Sequence, residues 1–246
     1  MKIVTIVGDS LSMVRPQNGI RYRDTYPFKL QELLGGEYHI TLFSQRANTV
    51  FNEYRKVMND GMLYTVPDFF IFHLGIVDCS PRLFGPKEQE VVYFFSTLPI
   101  FKHITSLIIN FLSKHRPFFT KHFPKTYVSK ENFKKSFEFI TGQIRKRTNA
   151  KIIFINIADT SDLAKNRSYG YHENITEYNK IFEDIINRNK DLCSLIDFYE
   201  VTNSESKRNK YLLPDNHHLS IEGHKMLSEL LHQNIKKLTT EDQSCI

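Results

Sequence analysis

The sequence predicts a three-layer α/β/α fold around a flavodoxin-like, five-stranded parallel sheet of strand order 2-1-3-4-5. Five short apolar runs have the continuous hydrophobicity of parallel strands that are buried on both faces. Segments with helical periodicity separate these runs, as the crossovers between parallel strands require. We therefore expect strands at Lys2–Gly8, Tyr38–Phe43, Asp68–Gly75, Lys151–Ile157 and Leu192–Phe198.

Length and composition fit one domain of this class. The chain has 246 residues, of which 41% are hydrophobic and 24% are charged. This suffices to bury one α/β core and leaves room for an insertion. We predict a single domain over residues 1–246 with an insertion at about 83–130.

The first helix is marked at both ends. Asp24 is a typical helix-capping residue, and Pro27 suits the first turn because that turn needs no backbone N–H. Gly35 and Gly36 are expected to end the helix.

Two later helices carry similar signals. Asn174 and Glu177 have the spacing of a capping box, which predicts a helix through about Arg188. Ser220 is expected to cap a last helix that runs to about Lys237. The polar tail, Thr239–Ile246, is expected to be loose.

The insertion Leu83–Lys130 is too long for a plain connection, so helices are expected in it. The stretch 91–112 is apolar, but Lys102 and His103 make a membrane-spanning helix expensive. A helix pair in the core, or one that joins two copies, is the favoured interpretation. The stretch 114–130 interleaves cations with aromatic rings, which suits an anionic glycan, a lipid headgroup or a nucleic-acid strand. A solvated basic loop is the simpler alternative for a stretch this short.

The charge balance and the cysteines bound the class further. A formal net charge of +6 favours anionic partners such as sugar phosphates, acidic glycans, membrane surfaces or nucleic acid, and does not choose among them. We expect an acylated carbohydrate as the substrate, with no nucleic acid favoured. No leader-like segment precedes the first strand, so we expect a cytoplasmic protein, with peripheral contact at the inner membrane surface as an alternative.

The three cysteines, Cys79, Cys193 and Cys245, are too scattered for a disulfide framework or a zinc knuckle. We expect neither a metal nor a cofactor.

Four polar segments follow predicted strands and are expected to meet at one edge of the sheet. Ligands of open parallel sheets bind beyond the carboxyl ends of the strands. The segments are Gly8–Leu11, Ser44–Thr49, Gly75–Asp78 and Pro214–His218. Each is weak alone, but their shared edge predicts one site.

Ser10 in the first segment is the candidate nucleophile. A serine needs a base to accept its proton, and an imidazole does this near neutral pH when a carboxylate orients it. Asp215 and His218 stand three residues apart in one predicted loop, so a single loop can supply both groups. The helix start at Ser10 adds backbone donors for an oxyanion.

These residues resemble the SGNH, or GDSL-type, esterases and acetylhydrolases. Gly8–Leu11 matches the family's first block, and the pair Asp215 and His218 matches its last block. Arg46–Thr49 resembles the second block, with Ala47 in place of the usual oxyanion glycine. That change is mild if the turn avoids positive φ, because the N–H of Ala47 remains. No G-x-S-x-G elbow is present, which argues against an ordinary α/β-hydrolase.

The third block departs from the family pattern. The family usually has Asn as an oxyanion donor where this chain has Val77, between Gly75 and Asp78. Loss of one such donor costs about 2.7–4 kcal/mol in the transition state. The candidate substitutes are Asn48, Arg46 and Asn156, with Asn48 preferred.

The resemblance also implies a substrate. The run Gly75–Arg82 looks like that of SGNH proteins associated with bacterial surface-glycan pathways. It implies removal or transfer of O-acetyl groups on a carbohydrate, with Ala47, Asn48, Gly75, Asp78 and Arg82 in the oxyanion hole or at the substrate. Arg82 is the candidate contact for an anionic substrate.

Two other functions compete with this interpretation. Five side chains at the same edge offer ligands for a metal-dependent phosphoester hydrolase: Asp9, Asp78, Asp215, His217 and His218. Their spacing matches no recognised metal motif. A non-catalytic glycan-binding or assembly protein would explain Val77 but gives no reason for an intact Ser10, Asp215 and His218.

The remaining polar residues near the site have simple structural interpretations. Asp9 is expected to bond the backbone of its own turn, and His73 to lie satisfied in the core. Cys79 is expected to be a small buried filler. His217 and His224 are expected to be a bystander and a helix-surface residue.

Overall fold

The computed structural model describes residues 1–56 and 66–243. Cys245 and the end of the predicted tail lie outside the described residues. The sheet has five parallel strands in the order β2-β1-β3-β4-β5, which confirms the predicted topology. The strands are β1 (Lys2–Gly8), β2 (Tyr38–Ser44), β3 (Phe69–His73), β4 (Lys151–Ile155) and β5 (Cys193–Ile196).

The register aligns the strand ends that matter for the site. Gly8 at the end of β1 pairs with Ser44 on β2 and with His73 on β3. The predicted third strand is too long by two residues at this end, because the chain leaves the sheet at Leu74 and Gly75 turns at a φ of +128°. Polar segments after β1, β2 and β3 therefore start at one edge.

Helices cover both faces of the sheet. They are α1 (Tyr26–Leu34), α2 (Val50–Lys56), α3 (Ile76–Cys79), α4 (Pro86–Thr97), α5 (Pro99–Lys114), α6 (Arg116–His122), α7 (Lys130–Arg147), α8 (Asp162–Arg167), α9 (Tyr171–Arg188), α10 (Phe198–Val201), α11 (Glu205–Tyr211) and α12 (Ile221–Gln243). One buried cluster joins α7 and α9 to the sheet, and a second joins α1 and α12 to the opposite face. The three predicted layers are confirmed.

Aromatic rings build much of the α7/α9 side of the core. Phe133 and Phe137 on α7 lie 4.9 Å apart between ring centroids, in an edge-to-face arrangement. Phe154 of β4 and Phe182 of α9 pack against Phe137 at 5.4 and 5.2 Å. Such pairs stabilise a core beyond the area they bury. The aromatic richness of the sequence is largely used here.

Two predicted helix starts are wrong. Thr25, not Asp24, precedes α1, because Asp24 closes a short 3-10 turn by accepting from the backbone N–H of Arg21 at 2.9 Å. Helix α9 starts three residues before Asn174, after Gly170, whose φ is +78°. The amide of Asn174 instead donates to the carbonyl of Cys79 at 2.8 Å, which ties α9 to α3.

The last helix begins as predicted. Ser220 accepts a hydrogen bond from the N–H of Gly223 at 3.0 Å, which is the expected cap. The helix continues to Gln243, so the first part of the predicted loose tail is helical.

The insertion is helical, as predicted, but its apolar stretch does not belong to the core. On α4 and α5 the exposed fractions of Tyr93, Ile100 and Leu107 are 71, 82 and 69%. The prediction that 91–112 packs in the core is therefore wrong. These two helices instead present an apolar surface to solvent. Within the described ranges no helix has the length and apolar content needed to cross a membrane.

Candidate active site

The turn after β1 presents Ser10. Asp9 is fully buried, and its Oδ1 accepts a hydrogen bond from the N–H of Leu11 at 2.8 Å. The chain then forms a 3-10 turn over Ser10–Ser12. The structural role predicted for Asp9 is confirmed, since its carboxyl fixes the turn from inside while the Ser10 side chain reaches the cavity.

The loop before α12 holds the acid and the base in fixed positions. A bridge between Leu212 and Leu219 closes the loop at its base. Oδ1 of Asp215 accepts the backbone N–H groups of His217 and His218 at 3.2 and 3.0 Å. The loop is therefore built around the Asp215 carboxylate, in the manner of an Asx turn.

The structure brings Ser10, His218 and Asp215 together as a hydrogen-bonded chain. Oγ of Ser10 lies 3.0 Å from Nε2 of His218, and Nδ1 of His218 lies 2.8 Å from Oδ2 of Asp215. These distances fit a nucleophile, a base and an orienting carboxylate. His218 is 8% exposed, so the base is largely shielded from solvent, whereas Asp215 is exposed.

Electrostatics keep the orienting group charged. Burial alone would raise the pKa of the Asp215 carboxyl, but the hydrogen bonds from His218 and the nearby charges of His217 and His218 hold that pKa well below its usual range. Arg15 adds a longer contact at 3.7 Å. Asp215 is thus a carboxylate at neutral pH, able to stabilise an imidazolium.

The backbone N–H groups of Ser10 and Ala47 are the candidate oxyanion donors. Both residues line the same cavity, and among the described residues neither N–H has a hydrogen-bond partner. Ala47 has a φ of +54°. The turn therefore requires a positive φ at this position. An alanine is strained in that conformation and a glycine is not, so the change from glycine to Ala47 is not mild.

Ala47→Gly is expected to stabilise the protein by up to about 1 kcal/mol, because glycine adopts this conformation without the clash that an L side chain meets. Thermal unfolding by circular dichroism measures the gain. Ala164→Gly, on α8 with ordinary helical geometry, is the control and should destabilise. A lower melting temperature for Ala47→Gly would show that the turn is not strained.

None of the three proposed substitutes for the missing block-three asparagine serves as an oxyanion donor. The Nδ2 of Asn48, the preferred one, donates to the carbonyl of Gly8 at 2.9 Å and to Glu53 at 2.7 Å. Asn156 donates to Asp197 at 2.8 Å. Arg46 is exposed and lies outside the cavity wall. The candidate oxyanion donors among the described residues are therefore backbone N–H groups.

Gly75 and Asp78 shape the site from behind and do not line the cavity. A Cβ on Gly75 would lie 2.8 Å from the side chain of Ile157, so a larger residue would have to displace Ile157, and the φ of +128° also favours glycine. Asp78 is fully buried, and its Oδ1 accepts the N–H of Val50 at 3.0 Å. Burial raises the pKa of Asp78 to about 7. The prediction that these two residues contact substrate is wrong in the structure.

The cavity itself has a volume of about 370 Å³, a size typical of small-molecule sites. Its wall includes Ser10, Ala47, Val77, Arg82, Arg116, Arg167, Tyr171, Asp215 and His217. Arg82 therefore stands on the cavity wall, and its contact with an anionic substrate stays a prediction. Sequence reasoning missed Arg116 and Arg167, which lie in the insertion and at the end of α8. Of these two, only Arg116 could have been found from the sequence, because it lies in the basic and aromatic stretch 114–130 that suits anion binding.

The five side chains proposed as metal ligands do not come together. Asp9 and Asp78 are buried behind the turns, which leaves Asp215, His217 and His218 with ligand atoms within 4.8 Å of one another. Nδ1 of His217 lies 2.8 Å from the backbone carbonyl of Asp215, and both nitrogens of His218 are engaged within the chain to Ser10. These three residues fit the serine chemistry better than a metal centre.

Two further histidines hold the helices around the site. His224 is 1% exposed and accepts the N–H of Tyr26 at 3.1 Å, so its predicted surface position is wrong. His73 lies 3.3 Å from the hydroxyl of Tyr26, which confirms a satisfied core histidine. Burial lowers the pKa of both to about 3, so both are neutral. Cys79 is fully buried, as predicted.

The chain was compared with known proteins, and its fold matches those of several solved structures. No family model matches the chain, and no curated protein does. Solved structures that match include a lipase/acylhydrolase from Enterococcus faecalis, at 14% identity and a TM-score of 0.63, with 96% of each chain covered. A carbohydrate acetylesterase family member from Sinorhizobium meliloti matches at 16% identity and 0.62, covering 97% of this chain and 99% of that one.

A third match is an acetylxylan esterase from Geobacillus stearothermophilus, solved as a catalytic mutant, at 14% identity and a TM-score of 0.61, covering 95% of this chain and 94% of that one. These likenesses extend over nearly the whole chain and establish the fold. The chain has the SGNH-type fold of the lipase/acylhydrolases and acetylesterases, as the sequence resemblance implied.

Proposed function

We propose that the protein is a serine esterase that removes acetyl groups from the hydroxyls of a carbohydrate. The observation that carries the proposal is the hydrogen-bonded chain from Ser10 through His218 to Asp215, which opens into a cavity. Similarity to an acetylxylan esterase and to a carbohydrate acetylesterase family member supports the small acyl group and the sugar.

In the proposed mechanism each of these residues has one step. Oγ of Ser10 attacks the ester carbonyl carbon while Nε2 of His218 takes the hydroxyl proton. The oxyanion is stabilised by the N–H groups of Ser10 and Ala47. His218 then gives its proton to the sugar oxygen as the carbon–oxygen bond breaks, which leaves an acetyl group on Ser10.

Water completes the cycle by the same roles in reverse. His218 deprotonates the water, which attacks the acetyl carbon, and the returned proton restores the Ser10 hydroxyl as acetate leaves. A sugar hydroxyl in place of water would make the enzyme a transferase. Two backbone donors without a side-chain donor predict a slower enzyme than one with a complete oxyanion hole.

The biological setting is also part of the proposal. The run Gly75–Arg82 resembles those of proteins associated with surface-glycan pathways. We infer a bacterial surface polysaccharide or its precursor as the substrate and the cytoplasm as the location.

A phosphonate ester with a p-nitrophenolate leaving group tests the mechanism. It should add one phosphonyl group to Ser10, located by mass spectrometry of peptides, with or without EDTA. Ser206→Ala on α11, an exposed serine outside the site, is the control and should label as the wild type does. No labelling of Ser10, together with EDTA-sensitive cleavage of bis-p-nitrophenyl phosphate, would establish metal-dependent hydrolysis instead. If neither labelling nor phosphodiester cleavage occurs, the protein is a binding protein and the esterase proposal fails.

A further inference from the structure

Three guanidinium groups line the same cavity as Ser10. They belong to Arg82, which follows α3, to Arg116 at the start of α6, and to Arg167 at the end of α8. These residues come from distant parts of the chain, so the fold itself gathers three positive charges at the nucleophile's cavity.

Two of these guanidinium groups are held in place by neutral partners. Nε of Arg116 donates to Oγ of Ser168 at 2.7 Å, and its Nη2 donates to the carbonyl of Pro81 at 2.7 Å. The guanidinium of Arg82 lies over the ring of Tyr127, 4.4 Å from the centroid. Both side chains are therefore positioned without losing their charge to a carboxylate.

Some arginines elsewhere in the described chain form ion pairs with carboxylates, and the three cavity arginines do not. Arg145, Arg188 and Arg208 pair with carboxylates at 2.8, 3.1 and 2.6 Å. In the described part of the chain, no ion pair forms at any of the three cavity arginines.

The cavity also leaves this charge unbalanced. Burial and the charges of Arg167 and Arg82 lower the pKa of Arg116, and Nε of Arg82 is buried without a partner among the described residues. Among the described residues, Asp215 is the one carboxylate on the cavity wall, and it is engaged by His218. The buried carboxyl of Asp78 senses the charge of Arg82 but stands behind the wall.

We propose that Arg82, Arg116 and Arg167 form an anion subsite, so that the substrate is an acetylated sugar that carries a carboxylate or a phosphate. This inference rests on the proposed esterase function for its ester. Guanidinium groups bind both anions through paired, charge-assisted hydrogen bonds. An anion in the cavity would neutralise the cluster and place the ester beside Ser10.

Selectivity between matched substrates tests the subsite. The substrates are acetylated glucuronate, its methyl ester, acetylated glucose and acetylated glucose 1-phosphate. The wild type should favour at least one anionic substrate over its neutral partner by about 10- to 100-fold in kcat/KM. The two anionic arms show whether a carboxylate or a phosphate is preferred. Arg167→Gln should reduce the preference by about tenfold, whereas Arg145→Gln, at an exposed ion pair, should leave it unchanged.

A binding experiment separates this inference from the esterase proposal. Calorimetric titration of Ser10→Ala protein with glucuronate and with inorganic phosphate reports the subsite without catalysis. If these anions bind, if Arg167→Gln weakens the binding, and if the wild-type protein has no esterase activity, the subsite stands and the esterase proposal falls. Esterase activity with no preference for either anion and no binding would overturn the subsite alone.

A second, independent observation concerns the outer face of the insertion. Five apolar side chains of α5 recur at helical spacing and are all exposed: Ile100, Ile104, Leu107, Ile108 and Phe111. Phe118 of α6 continues this surface. We call these six residues the apolar face.

The charge around the apolar face selects its occupant. The 40 residues of 91–130 contain six Lys or Arg and no Asp or Glu. Two of the six are paired, Lys125 with Glu88 on α4 and Lys130 with Glu177 on α9, which leaves four cations. A two-fold contact between copies would bring these cations against one another. Anionic lipid satisfies both the apolar stripe and the charge.

We infer that the apolar face lies on an anionic bilayer surface. Arg116 at the start of α6 also lines the catalytic cavity, so this docking would bring the cavity close to substrates at the membrane.

Vesicle flotation tests the docking. The full chain should float with vesicles of phosphatidylcholine and phosphatidylglycerol and bind phosphatidylcholine alone at least about tenfold more weakly. Leu107→Glu should abolish flotation, while Leu33→Glu, at an exposed leucine of α1, should not. Equal binding to both vesicle types would overturn the charge requirement. No flotation, with a dimer mass in light scattering that Leu107→Glu halves, would show that a second copy covers this face.

Discussion

Ser10→Ala is expected to lower kcat/KM for p-nitrophenyl acetate by about 10⁴-fold or more. The substitution removes the only atom that forms the acyl bond and leaves His218 without a proton to accept. His218→Ala should cost about as much, because a hydroxyl without its base attacks only slowly. The double variant should be no worse than either single one, since the two residues act as a unit.

Release of p-nitrophenolate measures these rates, and circular dichroism verifies that each variant is folded. Ser206→Ala is the matched control and should keep the wild-type rate. Retention of a tenth of the activity by Ser10→Ala would remove Ser10 from the mechanism, and loss of that residual activity in EDTA would point to the cluster of Asp215, His217 and His218.

Gly223→Ala is expected to destabilise the protein by about 3 kcal/mol or more. A Cβ at this position would lie 2.0 Å from the backbone carbonyl oxygen of Tyr211, an atom that also accepts the N–H of Ser220 at 2.9 Å. Helix α12 must therefore move away from α11. The loop between them carries Asp215 and His218, so the displacement reaches the base as well.

The loss should appear in two measurements. The melting temperature should fall by about 6 °C or more, and kcat at 20 °C should fall by about 100-fold, because a shift of about 1 Å at a reacting group costs that much. Gly142→Ala is the matched control: a Cβ there meets nothing within 4 Å and lies inside α7, so that variant should be slightly more stable. An unchanged melting temperature for Gly223→Ala would show that α12 does not approach α11 this closely.

The topology and the hydrogen-bonded chain of Ser10, His218 and Asp215 could be predicted because each rests on short-range signals. Buried parallel strands are continuously apolar, and the position of Ser10 after β1 follows from that pattern alone. Asp215 and His218 share one loop, so their contact needs no long-range information. Their approach to Ser10 follows from the general rule that strand ends of a parallel sheet meet at one edge.

The errors lie where a side chain has two possible partners. Asn174 has the spacing of a helix cap, but the fold places the carbonyl of Cys79 within its reach. Asn48 follows the second strand as an oxyanion donor would, yet its amide is occupied by Gly8 and Glu53. Local sequence shows that these groups can donate but does not show which acceptor the tertiary structure supplies.

The insertion shows a different limit. Helical periodicity over 91–112 predicts an apolar stripe but not what covers it, so a core position and a surface position look the same in the sequence. Arg116 and Arg167 were unpredictable as a pair for a related reason. No motif joins them, and only the packing of α6 beside α8 brings them to one wall.

The great separation of Ser10 and His218 along the chain, 208 positions, has a consequence for synthesis of the protein. While the chain is being made, the nucleophile emerges long before its base exists, so the nascent protein carries an inert serine. Under the proposed mechanism, no ester can be cleaved until the loop that carries His218 has reached Ser10. A refolding assay read by ester cleavage should therefore lag behind one read by helix formation.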